Sequence, residues 1–180
     1  KTQSDSYPDP IIIGKDLEKY TINFSNNYFK YNPVKLQQVA PQNLYTSQNK
    51  ILYKFIGKKL TFALETRGYY SLNNVNGFLP DIEEFNIETL LSLLNSSLMQ
   101  YYYEKNFFTV KVLRGNLERL PLKKIKLENQ KKISQLAKQI LENNSNKELL
   151  SENIDDIIFH EYGIKDKSAF SIIDSSEKVN

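Results

Sequence analysis

The chain contains no cysteine, no tryptophan, one histidine and one methionine. Without cysteine there are no disulfides and no thiolate metal ligands, which fits a reducing compartment. The single histidine, His160, sits near the end of the last predicted helix, where a cation simply favours the helix dipole. A zinc site, a thiol nucleophile or a Ser-His-Asp arrangement is therefore excluded or would rest on that one residue. No apolar run approaches the ~20 residues that span a bilayer, and no signal-peptide pattern opens the chain. The expected setting is soluble and cytoplasmic.

Catalytic motifs are missing as well. Asp/Glu-x-Lys, the core of many metal-dependent nucleases, occurs nowhere, so Asp81, Glu83 and Glu84 read as acids leading into a helix. Gly57-Lys58 lacks both the earlier glycine and the following hydroxyl of a phosphate loop. There is no G-x-G signature for an adenosyl cofactor and no Asn-Pro-Pro-Tyr loop to hold a flipped adenine; Asn32-Pro33-Val34 only echoes it. The chain is expected not to catalyse.

What is present suits a folded recognition module. The 180 residues are 40% hydrophobic and 12% aromatic, enough for a real core. The net charge is only +3 but it is unevenly spread. Residues 111–147 hold ten basic side chains against three acids, residues 50–68 five against one, and residues 148–180 three against eight. A basic body with an acidic tail is the footprint of a polyanion binder, although lysines on a solvated surface give the same count.

Periodicity divides the chain into a strand-rich half and a helical half. Tyr20, Ile22 and Phe24 alternate with polar residues, as in a half-buried strand. Residues 51–56 and 60–64 flank Gly57-Lys58-Lys59 as a hairpin, and Tyr69 to Leu72 makes a further run. After Pro80, Ile87, Leu90, Leu91, Leu94, Leu98 and Tyr101 take helical spacing, with Asn86 as N-cap. Residues 107–113 return to strand character, and Leu120-Pro121-Leu122 marks an extended exit. From about Glu128 a helical hairpin follows, with stripes Ile133, Leu136, Ile140, Leu141 and Leu150, Ile154, Ile157, Ile158. The fold class is α+β: a strand-rich domain with an embedded helix, then a C-terminal helical hairpin.

Around the hairpin lie the residue types that read duplex DNA. Lysine and arginine meet phosphates and guanine edges, asparagine meets adenine, and tyrosine stacks or contacts phosphate. The DNA-facing candidates are Lys54, Lys58, Lys59, Arg67, Tyr69, Asn73, Asn74, Asn76, Lys111 and Arg114, in loops around 54–59, 67–76 and 111–119. Tyr53 and Tyr69 can equally belong to the core, since they alternate within strands.

An ordered series of short motifs sharpens the reading. Lys50-Ile51-Leu52 opens a strand; Ala63-Leu64, Gly68-Tyr69-Tyr70 and Asn73-Asn74-Val75 follow. Leu93-Leu94-Asn95-Ser96, Tyr101-Tyr102-Tyr103 and Asn116-Leu117-Glu118-Arg119-Leu120-Pro121-Leu122 complete it. The stretch resembles the TaqI-like C-terminal specificity domain of N6-adenine methyltransferases and fused type IIG restriction enzymes. The C-terminal segment, through Ile154-Asp155 to Tyr162-Gly163-Ile164, is similar to the helices of type I specificity subunits.

The resemblance implies a target-recognition module of a restriction-modification system. A separate catalytic methyltransferase domain of the same longer chain would hold S-adenosylmethionine and the flipped adenine, with an endonuclease possible in the same protein. Opening on Lys1 rather than Met fits such a segment. The expected organisation is a linker over 1–10, the DNA target-recognition domain over 11–122, the helical hairpin as docking segment over 123–164 and a polar tail over 165–180. No metal and no membrane partner are expected. The alternative is a protein-interaction module that assembles a complex through its helical hairpin.

Overall fold

Two small three-stranded sheets organise the first half of the computed structural model, which describes residues 1–170 except Gln38, Lys58, Leu72, Asn73, Lys167 and Ala169. The fold is α+β, in two compact units, 1–81 and 82–180. In the first unit lie β1 (Asp9–Ile12), β2 (Tyr28–Phe29), α1 (Gln42–Thr46), β3 (Lys50–Lys54), β4 (Phe62–Glu65), β5 (Tyr70–Ser71) and β6 (Val75–Phe78). One sheet has the order β2-β1-β5, with β1 parallel to β5; the other is antiparallel, β4-β3-β6. Ile12, Leu17, Leu52, Ala63 and Val75 form one core cluster, with Ile22, Phe24 and Tyr69 packed on it.

The hairpin expected around Gly57 is the β3–β4 pair, with Lys50 opposite Glu65 and Tyr53 opposite Phe62. The strand expected at 20–25 does not form. Tyr20 has φ +72°, and Glu18 and Thr21 exchange backbone hydrogen bonds at 3.0 and 3.3 Å, closing a tight turn. Tyr20 instead donates its N–H to Phe62 O and accepts from Leu64 N, adding one bridge to β4. The alternation still marks burial: Tyr20 is buried, whereas Asn23 and Ser25 are exposed. Asp9 and Pro10, read as the end of a linker, open β1, and the Asp9 carboxylate accepts the Tyr31 amide at 2.8 Å.

The second unit is helical: α2 (Ile87–Asn95), α3 (Ser97–Asn106), α4 (Arg114–Leu117), α5 (Leu127–Glu142) and α6 (Lys147–Tyr162). Asn86 caps α2 as expected, its side chain accepting from Thr89 N at 2.8 Å. The single helix expected over 87–101 is broken at Ser96, whose ψ of 151° ends α2 and whose hydroxyl accepts from Met99 N to start α3. The hydroxyl competes with the helix ladder for backbone partners, so a serine within an apolar period becomes a boundary. Ser97 N then donates to Asp155 of α6 at 3.2 Å.

The helical hairpin forms with its stripes inward: Ile133, Ala137 and Ile140 of α5, and Ile154, Ile158 and Phe159 of α6, are buried. Each large apolar side chain among them contributes about 1.5–3 kcal/mol by leaving water. The end of α6 also secures the start of α5. Glu161 accepts from Asn129 Nδ2 at 2.6 Å and Lys126 N at 3.4 Å, while Tyr162 Oη accepts from Lys123 N at 2.8 Å. Residues 107–113, expected as a strand, form none among the described residues. Phe107 N still bonds back to Tyr103 O, and Phe107 and Val112 turn inward while Phe108, Val110 and Leu113 are exposed.

Candidate nucleic-acid interface

The first candidate group stands on a buried ion pair. Lys50 opens β3 and Glu65 closes β4, directly opposite in register. Lys50 Nζ lies 2.9 Å from Glu65 Oε2, and neither side chain is more than 2% exposed. The ammonium also donates to Tyr45 O and, at 3.1 Å, to Ser47 O. The carboxylate accepts three consecutive amides, Arg67 N at 2.8 Å, Gly68 N at 2.9 Å and Tyr69 N at 3.2 Å. A buried pair is tolerable only when its remaining donors and acceptors are satisfied in this way. Burial pushes the Lys50 ammonium below its ordinary value, and the bond and charge of Glu65 only partly offset that push.

The pair fixes the turn that carries Arg67. Gly68 has φ +74°, and a Cβ there would meet Thr46 O at 2.6 Å, so the turn requires glycine on two counts. Arg67 is exposed, with its guanidinium 4.4 Å from the Tyr69 ring centroid and 5.8 Å from that of Phe24. Tyr69 is half-buried, packed on Phe24 at 4.9 Å and on the core. The exposed cation is thus held against an aromatic shelf, which reduces the ordering a bound anion would have to supply.

The other candidates of this unit lie at the far end of β3. Lys54 is half-buried opposite Val75, and Phe55 N donates to Asn74 O at 2.8 Å, so the β3–β4 loop meets the turn before β6 there. Lys59 is half-buried in that loop. Asn74 is exposed, but its side-chain oxygen accepts Gly14 N at 3.3 Å, a structural tie. Asn76 is half-buried in β6, opposite Tyr53, and Tyr53 itself is buried core. Lys58 and Asn73 lie outside the described residues. The four-residue step from Lys50 to Lys54 separates the two groups by about 13 Å of strand, so Arg67 and Tyr69 do not join Lys54, Lys59, Asn74 and Asn76 in one cluster.

Lys111 and Arg114 belong to the second unit and are exposed. Lys111 O accepts the Tyr103 hydroxyl at 3.1 Å, which ties its backbone to α3. Arg114 pairs with Glu118 at 2.7 Å across one turn of α4; both are exposed, and such pairs add little stability. Arg119 lies with its guanidinium 5.0 Å over the Phe107 ring.

Sequence reasoning passed over Lys50, Glu65 and Phe108. Nothing local separates Lys50 from the exposed lysines near it; only the strand register brings it to Glu65. The sole signal was Glu65 standing two residues ahead of Arg67-Gly68, the spacing at which a carboxylate can take a turn's amides.

Among the described residues no group of three or more His, Asp or Glu side chains is arranged to hold a metal ion, and no helix is long and apolar enough to cross a membrane. Comparison with protein families matches residues 9–125 to the TaqI-like C-terminal specificity domain. A comparison with curated proteins gives no match. The matched span runs from the first residue of β1 to Ile125, two residues before α5.

Proposed function

Because the chain belongs to the TaqI-like C-terminal specificity domain family, we propose that it selects the target site on duplex DNA for an N6-adenine methyltransferase of a restriction-modification system. The family match over 9–125 carries this reading. A specificity domain is not itself catalytic. The methyl donor, S-adenosylmethionine, and the flipped adenine belong in this proposal to a separate catalytic domain, and this chain faces the duplex from the other side. Arg67, stacked on Tyr69, is the candidate base reader, because a guanidinium held in one orientation can pair bidentately with a guanine edge. Lys54, Lys58, Lys59 and Lys111 are assigned to phosphates, and Arg114, with Asn73, Asn74 and Asn76, is placed nearer the bases. The α5–α6 hairpin, on which Leu127 and Leu149 are exposed, is assigned to docking on the catalytic domain.

Duplex binding by the chain across a salt series, read by fluorescence anisotropy, tests this proposal. Binding should weaken on a log–log plot with a slope of about −0.9 for each phosphate contacted. Lys59→Glu should weaken all sequences alike, whereas Arg67→Ala should relax preference at one base pair of the selected site by about 1–3 kcal/mol. A flat salt response removes the electrostatic part of the proposal. Uniform loss across all sequences from Arg67→Ala moves Arg67 to the phosphates.

A further inference from the structure

Residues 107–113 form a loop whose two ends are anchored while its tip is bare. At one end Phe107 is buried, 4.9 Å from the Tyr103 ring, with the Arg119 guanidinium 5.0 Å from its own ring centroid. At the other end Val112 is buried and Lys111 O accepts the Tyr103 hydroxyl, which in turn accepts Asn116 Nδ2 at 3.3 Å. Thr109 Oγ1 accepts Lys111 N at 3.1 Å and tightens the span between. A single tyrosine hydroxyl therefore joins α3, the loop and α4.

Phe108, between these anchors, is 95% exposed, more than any other large hydrophobic residue of the described chain. Leaving a phenyl ring in water forgoes the burial that aromatic side chains ordinarily gain. The cations along this stretch are Lys105 three residues before the ring, Lys111 three after and Arg114 six after, with Arg119 beyond. The acids are Glu104 and Glu118, the latter facing Arg114. A protruding aromatic among cations matches a polyanion whose interior is apolar, and that describes duplex DNA: charged backbone outside, stacked bases inside.

We propose that Phe108 is a wedge that enters the base stack from a groove while Lys105 and Lys111 hold the flanking phosphates. The proposal rests on the recognition reading above. Apolar side chains inserted at a base step unstack it and bend the duplex, and the added protein contact offsets the cost of unstacking. The anchors fit such a role, because a wedge must hold its position against the stack. A loop tied at both ends also loses little conformational freedom when it is loaded. Phe108 adds no sequence-reading hydrogen bond, so its effect falls on affinity and DNA shape rather than on which base is chosen.

The absence of tryptophan gives the experiment a clean reporter. The unmodified chain, Phe108→Ala and Phe108→Trp are each titrated with a short duplex enriched from a randomised pool by the unmodified chain. Phe108→Trp should bind like the unmodified chain, and its emission should be quenched as the indole stacks on bases. Phe108→Ala should lose about tenfold or more in affinity and straighten the duplex, read by energy transfer between dyes at its ends. Its salt slope should stay unchanged, whereas Lys111→Ala should lower that slope by about one. The thermal midpoint of Phe108→Ala should equal that of the unmodified chain, since the ring touches little in the free protein. A bound duplex that leaves the tryptophan emission unaltered, or that tolerates Phe108→Ala at full affinity, overturns the wedge alone. Failure of the unmodified chain to bind any duplex at low salt overturns the recognition reading beneath it.

Discussion

Lys50 and Glu65 meet across the first register position of β3 and β4 at 2.9 Å, inside the protein, and the same carboxylate takes the amides of residues 67, 68 and 69. The pair thus does two jobs: it closes one end of the hairpin and it shapes the turn that presents Arg67. Removing one partner leaves a buried charge without its counter-ion, which costs about 3–5 kcal/mol. Lys50→Met and Glu65→Leu should each lower the unfolding free energy, measured by urea titration, by that order. The double variant should recover only part of the loss, because three turn amides still lack an acceptor. Full recovery in a double-mutant cycle would refute the second job.

Gly68→Ala isolates the turn from the ion pair. The new methyl would sit 2.6 Å from Thr46 O at a backbone φ of +74°. Both the clash and the left-handed conformation oppose it, at about 1–3 kcal/mol. If Arg67 reads a base, Gly68→Ala should also degrade sequence preference at temperatures where the chain remains folded. Anisotropy on selected and scrambled duplexes measures this.

Acid should loosen the second unit through Glu161. Burial raises its carboxyl, but hydrogen bonds from Asn129 and the Lys126 amide, with the charges of Lys126 and Lys123, hold it below its ordinary value of 4.5. The folded state therefore keeps this carboxylate ionised to lower pH than the unfolded chain does. Its contribution is present above pH 4.5 and is lost as pH falls through the depressed value. Glu161→Gln should reduce stability near neutrality and show a shallower loss as pH falls below 4.5. Urea midpoints across that range provide the comparison.

The helix break offers a fourth measurement. Ser96 Oγ donates to Leu93 O at 2.7 Å and accepts from Met99 N at 3.2 Å, closing one helix and opening the next. Ser96→Ala should cost about 1–2 kcal/mol, and Asn86→Ala about 1 kcal/mol by uncapping α2. Since Ser96 is buried and Asn86 exposed, the larger loss belongs to Ser96. Thermal melts that order the two the other way would show that the break is imposed by packing rather than by the serine.

How much was legible differs by element. The cap at Asn86, the α5–α6 hairpin and the β3–β4 pair follow from periodicity and side-chain chemistry within a few residues of each site. The segment at Tyr20 misled because alternation reports which side chains are buried, not whether a ladder exists, and here one tyrosine backbone serves the edge of β4. The placement of the DNA-facing candidates was illegible for a different reason. Lys54 and Arg67 lie in neighbouring loops of the sequence, yet antiparallel pairing sends them to opposite ends of one strand.

By itself, the sequence determined the fold class and the family. Each rests on which residue types occur in what order, and order needs no coordinates. Tertiary structure alone decided that Lys50 is a buried partner and not a surface cation, and that of two adjacent phenylalanines Phe107 turns in and Phe108 out. Those outcomes depend on what a distant part of the chain places nearby: Glu65 for the lysine, Tyr103 and Arg119 for the ring. Local propensity is identical for either choice, and only packing distinguishes them.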